Sequence, residues 1–184
     1  MTDPRAQAVL DFWFSAEAEP RWFGPPVPAF DQEVTARFRA TYVDVKVQRL
    51  SAWTSDPAEC LALVLVLDQF PRHMFRGTAE AFETDAMALD AAREALERGH
   101  DQTFEMRKRW FFYVPFEHSE TLEDQDISVA LFRTLNHPSP SVMEAAERHR
   151  STIGRFGRFP YRNAALGRVS TPEEERYLKE EPWP

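Results

Sequence analysis

The run Asp56-Pro57-Ala58-Glu59-Cys60-Leu61-Ala62-Leu63-Val64-Leu65-Val66-Leu67-Asp68-Gln69-Phe70-Pro71 decides the fold. Asp56 is a residue type that caps free backbone N–H groups. Pro57 suits the first helical position, where its missing N–H would have no partner. From Cys60 to Leu67 every residue is apolar, so a helix here is apolar all round and other elements must wrap it. The run falls short of the ~18 apolar residues that span a bilayer, so it predicts a central core helix. Pro71 predicts a stop or a kink. Cys60 is the one cysteine of the chain; it reads as a small buried hydrophobe, and no intrachain disulfide can form.

Helical periodicity continues on both sides of this run. A short helix ends over Val9 to Phe14, and Pro20 to Pro28 forms a Pro/Trp-rich corner. A second helix is predicted from about Pro28 to Leu50, with Phe30, Val34, Phe38, Thr41 and Val45 on one side. After the Arg76-Gly77-Thr78 corner, Phe82, Ala86, Leu89, Arg93 and Leu96 fall in register, and Gly99 is the stop. Helices then follow over Phe104 to Ser119 with a kink at Pro115, over Thr121 to Leu135, and over Ser139 to Phe159. A short terminal helix starts at Thr171-Pro172. Thr121-Leu122-Glu123-Asp124 resembles a capping box with Asp in place of Glu. No hairpin signal interrupts the pattern. The expectation is a single all-α domain over residues 1–184, built of six to nine helices in stacked antiparallel pairs.

Composition narrows the function classes. The chain has 184 residues with 14 Pro against 6 Gly and 15 Phe, 5 Trp and 4 Tyr, which argues for packed helices with stiff corners and against disorder. A net charge of −8 argues against wholesale binding to nucleic acid or to anionic membranes. Met1-Thr2-Asp3-Pro4-Arg5 lacks the basic start and apolar stretch of a signal peptide, so the expected location is cytoplasmic. HExxH, P-loop, GxSxG and CxxC patterns are absent, and the sequence calls for no metal and no cofactor.

The informative residues are polar ones on helix faces that otherwise belong to the core. His149 lies amid Val142, Ala146, Ile153 and Phe156. Asp85 projects beside Phe82 and Leu89, Asp68 ends the apolar run next to Gln69, and Asp124 and Ser128 share a face with Leu131 and Leu135. Buried carboxylates need partners, and Arg72, His73 and Arg76 are near in sequence. A shared buried polar site serves either to lock helix register or to bind a ligand. A second constellation is the stretch from Arg148 to Val169, which holds six arginines and no carboxylate, so the rest of the chain carries −14. Arginine forks suit carboxylates and phosphates, and the alternative is pairing with acidic residues such as Glu173 to Glu175. Phe116-Glu117-His118-Ser119-Glu120 is a third, weaker cluster.

Three long blocks resemble the bacterial DUF924 family. The first is Asp68-Gln69-Phe70-Pro71-Arg72-His73-Met74-Phe75-Arg76-Gly77 with Phe82 and Asp85. The second runs from Phe111 to Glu120 and on through Gln125 and Ser128 to Phe132. The third comprises His149, Arg155 to Asn163, Leu166 to Arg168 and Ser170 to Glu174. The resemblance implies an all-helical fold related to tetratricopeptide repeats, with antiparallel pairs stacked in a right-handed superhelix, and no established activity. Asp68, Arg72, Arg76, Asp85, His118, Glu120, Gln125, His149, Arg155, Arg158 and Asn163 match its pattern, whereas His73 and Glu117 depart from it.

Three functions follow as expectations. The first is a binding module for an anionic small molecule or acidic peptide, using Arg72, Arg76, Arg155, Arg158, Asn163, Asp68 and Gln125. The second is a small hydrolase with His118 or His149 as general base, assisted by Glu120 or Asp85 and an arginine. The third is a structural protein, with a homodimer formed through exposed aromatics.

Overall fold

The computed structural model describes residues 2–180, and among them regular structure is helical throughout. Eight α-helices follow in order: α1 Pro4–Trp13, α2 Pro28–Lys46, α3 Pro57–Met74, α4 Asp85–Glu97, α5 Met106–Glu117, α6 Leu122–Leu135, α7 Pro140–Phe156 and α8 Pro172–Glu180. Short 3₁₀ turns fill most of the corners.

α3 starts as its sequence requires, with the Asp56 carboxylate accepting from the N–H groups of Ala58 and Glu59. Every residue from Cys60 to Pro71 is buried, and α1, α2, α4 and α5 pack around this helix. Later neighbours along the chain pack in sequence, α4 on α5, α5 on α6 and α6 on α7. At the α1 end, the Trp22 indole donates to the Trp13 carbonyl, and both rings pack against Phe111 of α5.

Three boundaries differ from the sequence expectation. α3 runs through Pro71 to Met74 instead of stopping. Proline removes the N–H that would bond the Leu67 carbonyl. The Thr84 hydroxyl donates to that carbonyl instead, at 2.6 Å, which also ties the start of α4 to α3. α2 ends at Lys46, short of Leu50, where Gln48 takes a left-handed φ of 59°. α7 ends at Phe156, because Gly157 adopts a φ of 66° and closes the helix. Arg158 and Arg162 therefore lie beyond α7, in the chain between α7 and α8.

Candidate functional site

The site is built where the apolar run of α3 ends. Asp68 is 1% exposed, and its Oδ1 accepts from His118 Nδ1 at 2.7 Å. Its Oδ2 accepts from Gln69 Nε2 at 2.5 Å. One helical turn on, Arg72 donates to the Asp68 backbone carbonyl and lies 3.5 Å from its carboxylate. His118 follows the last residue of α5, where backbone carbonyls lack intrahelical partners. Fully buried Gln125 of α6 supplies them: its Nε2 lies within hydrogen-bonding reach of the carbonyls of Glu117 at 2.8 Å, Ser119 at 2.7 Å and Phe116 at 3.4 Å. The turn that presents His118 is thus fixed from α6, and its ring from α3.

A chain of ion pairs extends from this dyad. Arg72 bonds both oxygens of Asp85, the first residue of α4, at 2.9 and 3.1 Å. Arg162 Nη1 donates to Asp85 Oδ2 at 3.2 Å, and its Nη2 donates to the His118 carbonyl at 3.1 Å. The Arg162 guanidinium lies 4.7 Å from the Phe82 ring centre and 4.6 Å from that of Phe159. Such contacts suit a weakly hydrated cation held out of water.

The electrostatics keep the His118 ring neutral. Burial pushes its pKa down, the Arg72 charge pushes it further down, and the opposing pull of Asp68 does not make up the difference. Burial works against ionisation of Asp68, but the Arg72 charge and the hydrogen bonds from His118 and Gln69 outweigh it and hold the carboxyl well below its ordinary range. An ionised Asp68 only accepts, so His118 Nδ1 carries the proton and Nε2 carries the lone pair. Nε2 takes no hydrogen bond among the described residues.

His118 opens onto a cleft of about 710 Å³. One lining segment lies between Ala79 and Leu89, the other between Pro115 and Asp124, with Arg162 and Leu166 completing it. Ser119 and Thr121 line it too, but both hydroxyls donate to Asp124 Oδ2 at 2.7 Å, and neither bonds His118. No group of three or more His, Cys, Asp or Glu side chains among the described residues is arranged to hold a metal ion.

This arrangement sits on a chain that a known family covers almost end to end. A family described as bacterial proteins of unknown function, DUF924, matches residues 9–182. The chain belongs to the DUF924 family. A solved helical structure, described as a protein of unknown function from Agrobacterium tumefaciens, is 41% identical to it. That likeness covers 95% of this chain and 97% of the other, with a TM-score of 0.88. No curated protein matches the chain.

Within this DUF924 chain, the sequence-predicted residues fall into separate groups. Asp68, Arg72, Asp85, His118 and Gln125 come together in the network above. Glu120 lines the cleft, where Arg168 grips it at 2.7 and 3.0 Å and the Phe159 N–H donates to it. His149 is partly buried, its Nδ1 2.9 Å from Glu117 and 2.8 Å from the Ala145 carbonyl. Its ring centre lies 6.5 Å from that of His118, yet it is not part of the cleft lining. Arg76 pairs with Asp31 beside His73, outside the cleft lining. Arg155 pairs with Glu173 on the surface, and Arg158 grips the buried Glu174 that also receives Asn163. Arg158 and the Thr171 N–H hold the Glu174 carboxyl down to about 2.

Sequence reasoning passed over Arg162 and Gln69 as site residues. Arg162 read as one of six arginines, and its depth follows from the chain folding back past α7. Gln69 sits directly after Asp68, and that adjacency was its one available signal.

Proposed function

We propose that this chain is a cytoplasmic hydrolase in which His118 acts as general base on a water molecule. One observation supports the reading: a neutral imidazole, oriented through Nδ1 by a buried carboxylate and with no hydrogen bond at Nε2 among the described residues, belongs to a residue that lines a cleft. Nε2 takes a proton from water as the water oxygen bonds to an acyl carbon. The resulting imidazolium then returns that proton to the leaving group as its bond to the acyl carbon breaks. Arg162 lines the same cleft and is the donor available to the oxyanion. Asp68 holds the tautomer and stabilises the transient imidazolium; Arg72 and Asp85 act through it as positioning residues. A panel of neutral, anionic and cationic p-nitrophenyl esters tests the reading. Wild-type turnover should fall by about 10²–10⁴-fold in His118→Asn. Equal turnover in that variant, or no turnover of any ester by the wild type, overturns it.

A second reading, an anion-binding module, draws on one observation. Ser151, Thr152, Arg155, Phe156 and Tyr177 line a notch of about 120 Å³ whose walls hold no carboxylate among the described residues. Against it stands the pairing of Arg72, Arg76, Arg155 and Arg158 with carboxylates. Titration with inorganic phosphate, repeated on Arg155→Glu, separates the two readings: saturable binding lost in the variant favours the notch.

A further inference from the structure

α4 and the turn before it carry an apolar stripe that the core does not use. The residues α4 buries are Ala88, Ala91, Ala92 and Ala95, all alanine. Phe82, Ala86, Leu89 and Arg93 share a register in the sequence, and the first three of them line the His118 cleft. The fourth pairs with Asp124, which is also a lining residue. Among the described residues, neither Phe82 nor Leu89 belongs to the hydrophobic core or to the side chains packed on it. Pro115 and Leu166 stand with them in the cleft lining, and Leu166 is 36% exposed. Large apolar side chains gathered in a concavity, and spared from the core, are the surface an apolar ligand covers. A volume of about 710 Å³ is that of a small-molecule site.

The charged part of the lining is matched in sign. Asp85 is held by Arg72 and by Arg162, Glu83 by Lys46 at 2.6 Å, Glu120 by Arg168 at 2.7 Å, and Asp124 by Arg93. Arg162 is itself a lining residue, so its charge is answered within the cleft. Glu80 is exposed, and water and salt screen its charge. The His118 ring is neutral. An ion entering here gives up its hydration and has to break into a formed pair to find a counter-charge. An uncharged molecule gives up far less, and gains roughly fourfold in affinity for each methylene it buries on the apolar walls.

We infer that the cleft takes an uncharged substrate with an apolar acyl group: a neutral ester whose acyl chain lies on Phe82, Leu89 and Leu166, with its carbonyl beside His118. The inference rests on the hydrolase reading for the carbonyl end, whereas the preference for a neutral apolar chain is a binding property measured without turnover. Methyl ketones keep the carbonyl and chain of such an ester and cannot be hydrolysed. Pentan-2-one, heptan-2-one, hexanoate and hexylammonium are titrated at equal ionic strength while backbone amide resonances are followed in wild type and in Leu89→Ser/Leu166→Ser. Heptan-2-one should shift amides of residues 79–89 and 115–124. It should bind about five- to fifteenfold more tightly than pentan-2-one, and about threefold or more tighter than either ion. The double variant should weaken it about fivefold or more. Leu166→Ser alone, at an exposed position, carries the same test with about a twofold loss if the double variant gives no folded spectrum. Either ion binding as tightly as heptan-2-one, affinity that is flat with chain length, or shifts centred elsewhere overturns the inference. So does undiminished binding in the serine variants, an absence of saturable ketone binding, or shifts of the same amides with protein concentration alone, the mark of a second copy in the cleft. Failure of the hydrolase reading shows separately, as ketone binding that behaves as expected beside ester turnover that is absent or survives His118→Asn.

Discussion

Replacing Asp68 with Asn tests the dyad with little change of shape. The native carboxylate is 1% exposed and serves His118 through Oδ1, Gln69 through Oδ2 and Arg72 at 3.5 Å. In the variant, the bond from His118 Nδ1 becomes one between neutral groups, and the amide nitrogen faces Gln69 Nε2, donor against donor, unless Gln69 turns over. Hydrogen bonds to charged groups are worth about 1.5–3 kcal/mol and neutral ones about 1 kcal/mol. Stranding a buried charge usually costs about 3–5 kcal/mol, but Arg72 keeps both bonds to Asp85 and is not stranded. The expected loss is therefore about 2–3 kcal/mol, read as a lower urea midpoint at pH 7 with an unchanged slope. The substitution also removes the one carboxylate that hydrogen-bonds His118 and raises its pKa, so the imidazole should titrate at still lower pH. Following the His118 Cε1–H resonance against pH measures this directly. A stability change under about 0.5 kcal/mol, or a His118 that titrates higher in Asp68→Asn than in wild type, would refute the reasoning.

Three further outcomes follow from the same structure. Gln125→Leu leaves the carbonyls at the end of α5 without their donor, so it should lose about 2–3 kcal/mol in urea unfolding and broaden the His118 resonance. Stability should fall as pH drops from 7 to 5. His73 and His118 both have folded pKa values below that of free histidine, so the unfolded chain binds more protons there, and His73→Gln should flatten part of the slope. Leu65→Ala, at a position with no exposure in the centre of α3, should cost about 2–5 kcal/mol, with the cavity left behind deciding where in that range it falls.

The apolar run from Cys60 to Leu67 was legible because a helix without a polar face can only sit inside others. The all-helical class, the Asp56 cap and the closing role of Gly99 were legible because they depend on neighbours within a turn. Asp68 and Asp85 were visible as polar residues on core faces, since burying such groups demands partners wherever the chain goes, whereas His118 stood out only in a weak cluster and Gln125 only through the family resemblance. Which partners they take was decided by the tertiary structure. Asp68 and His118 are separated by 50 residues, and Asp85 and Arg162 by 77. Helix periodicity gives the direction of a side chain around its own axis and nothing about which helix it meets. The arginine island shows the same limit. Its composition read as a stretch of excess positive charge, while chain folding set Arg158 on Glu174, Arg162 on Asp85 and Arg168 on Glu120, carboxylates from three other parts of the chain. Sequence alone established a helical domain with polar residues in its interior. Packing left one of its histidines neutral at the edge of a cleft, because burial, charge and access are properties of what surrounds a residue in space.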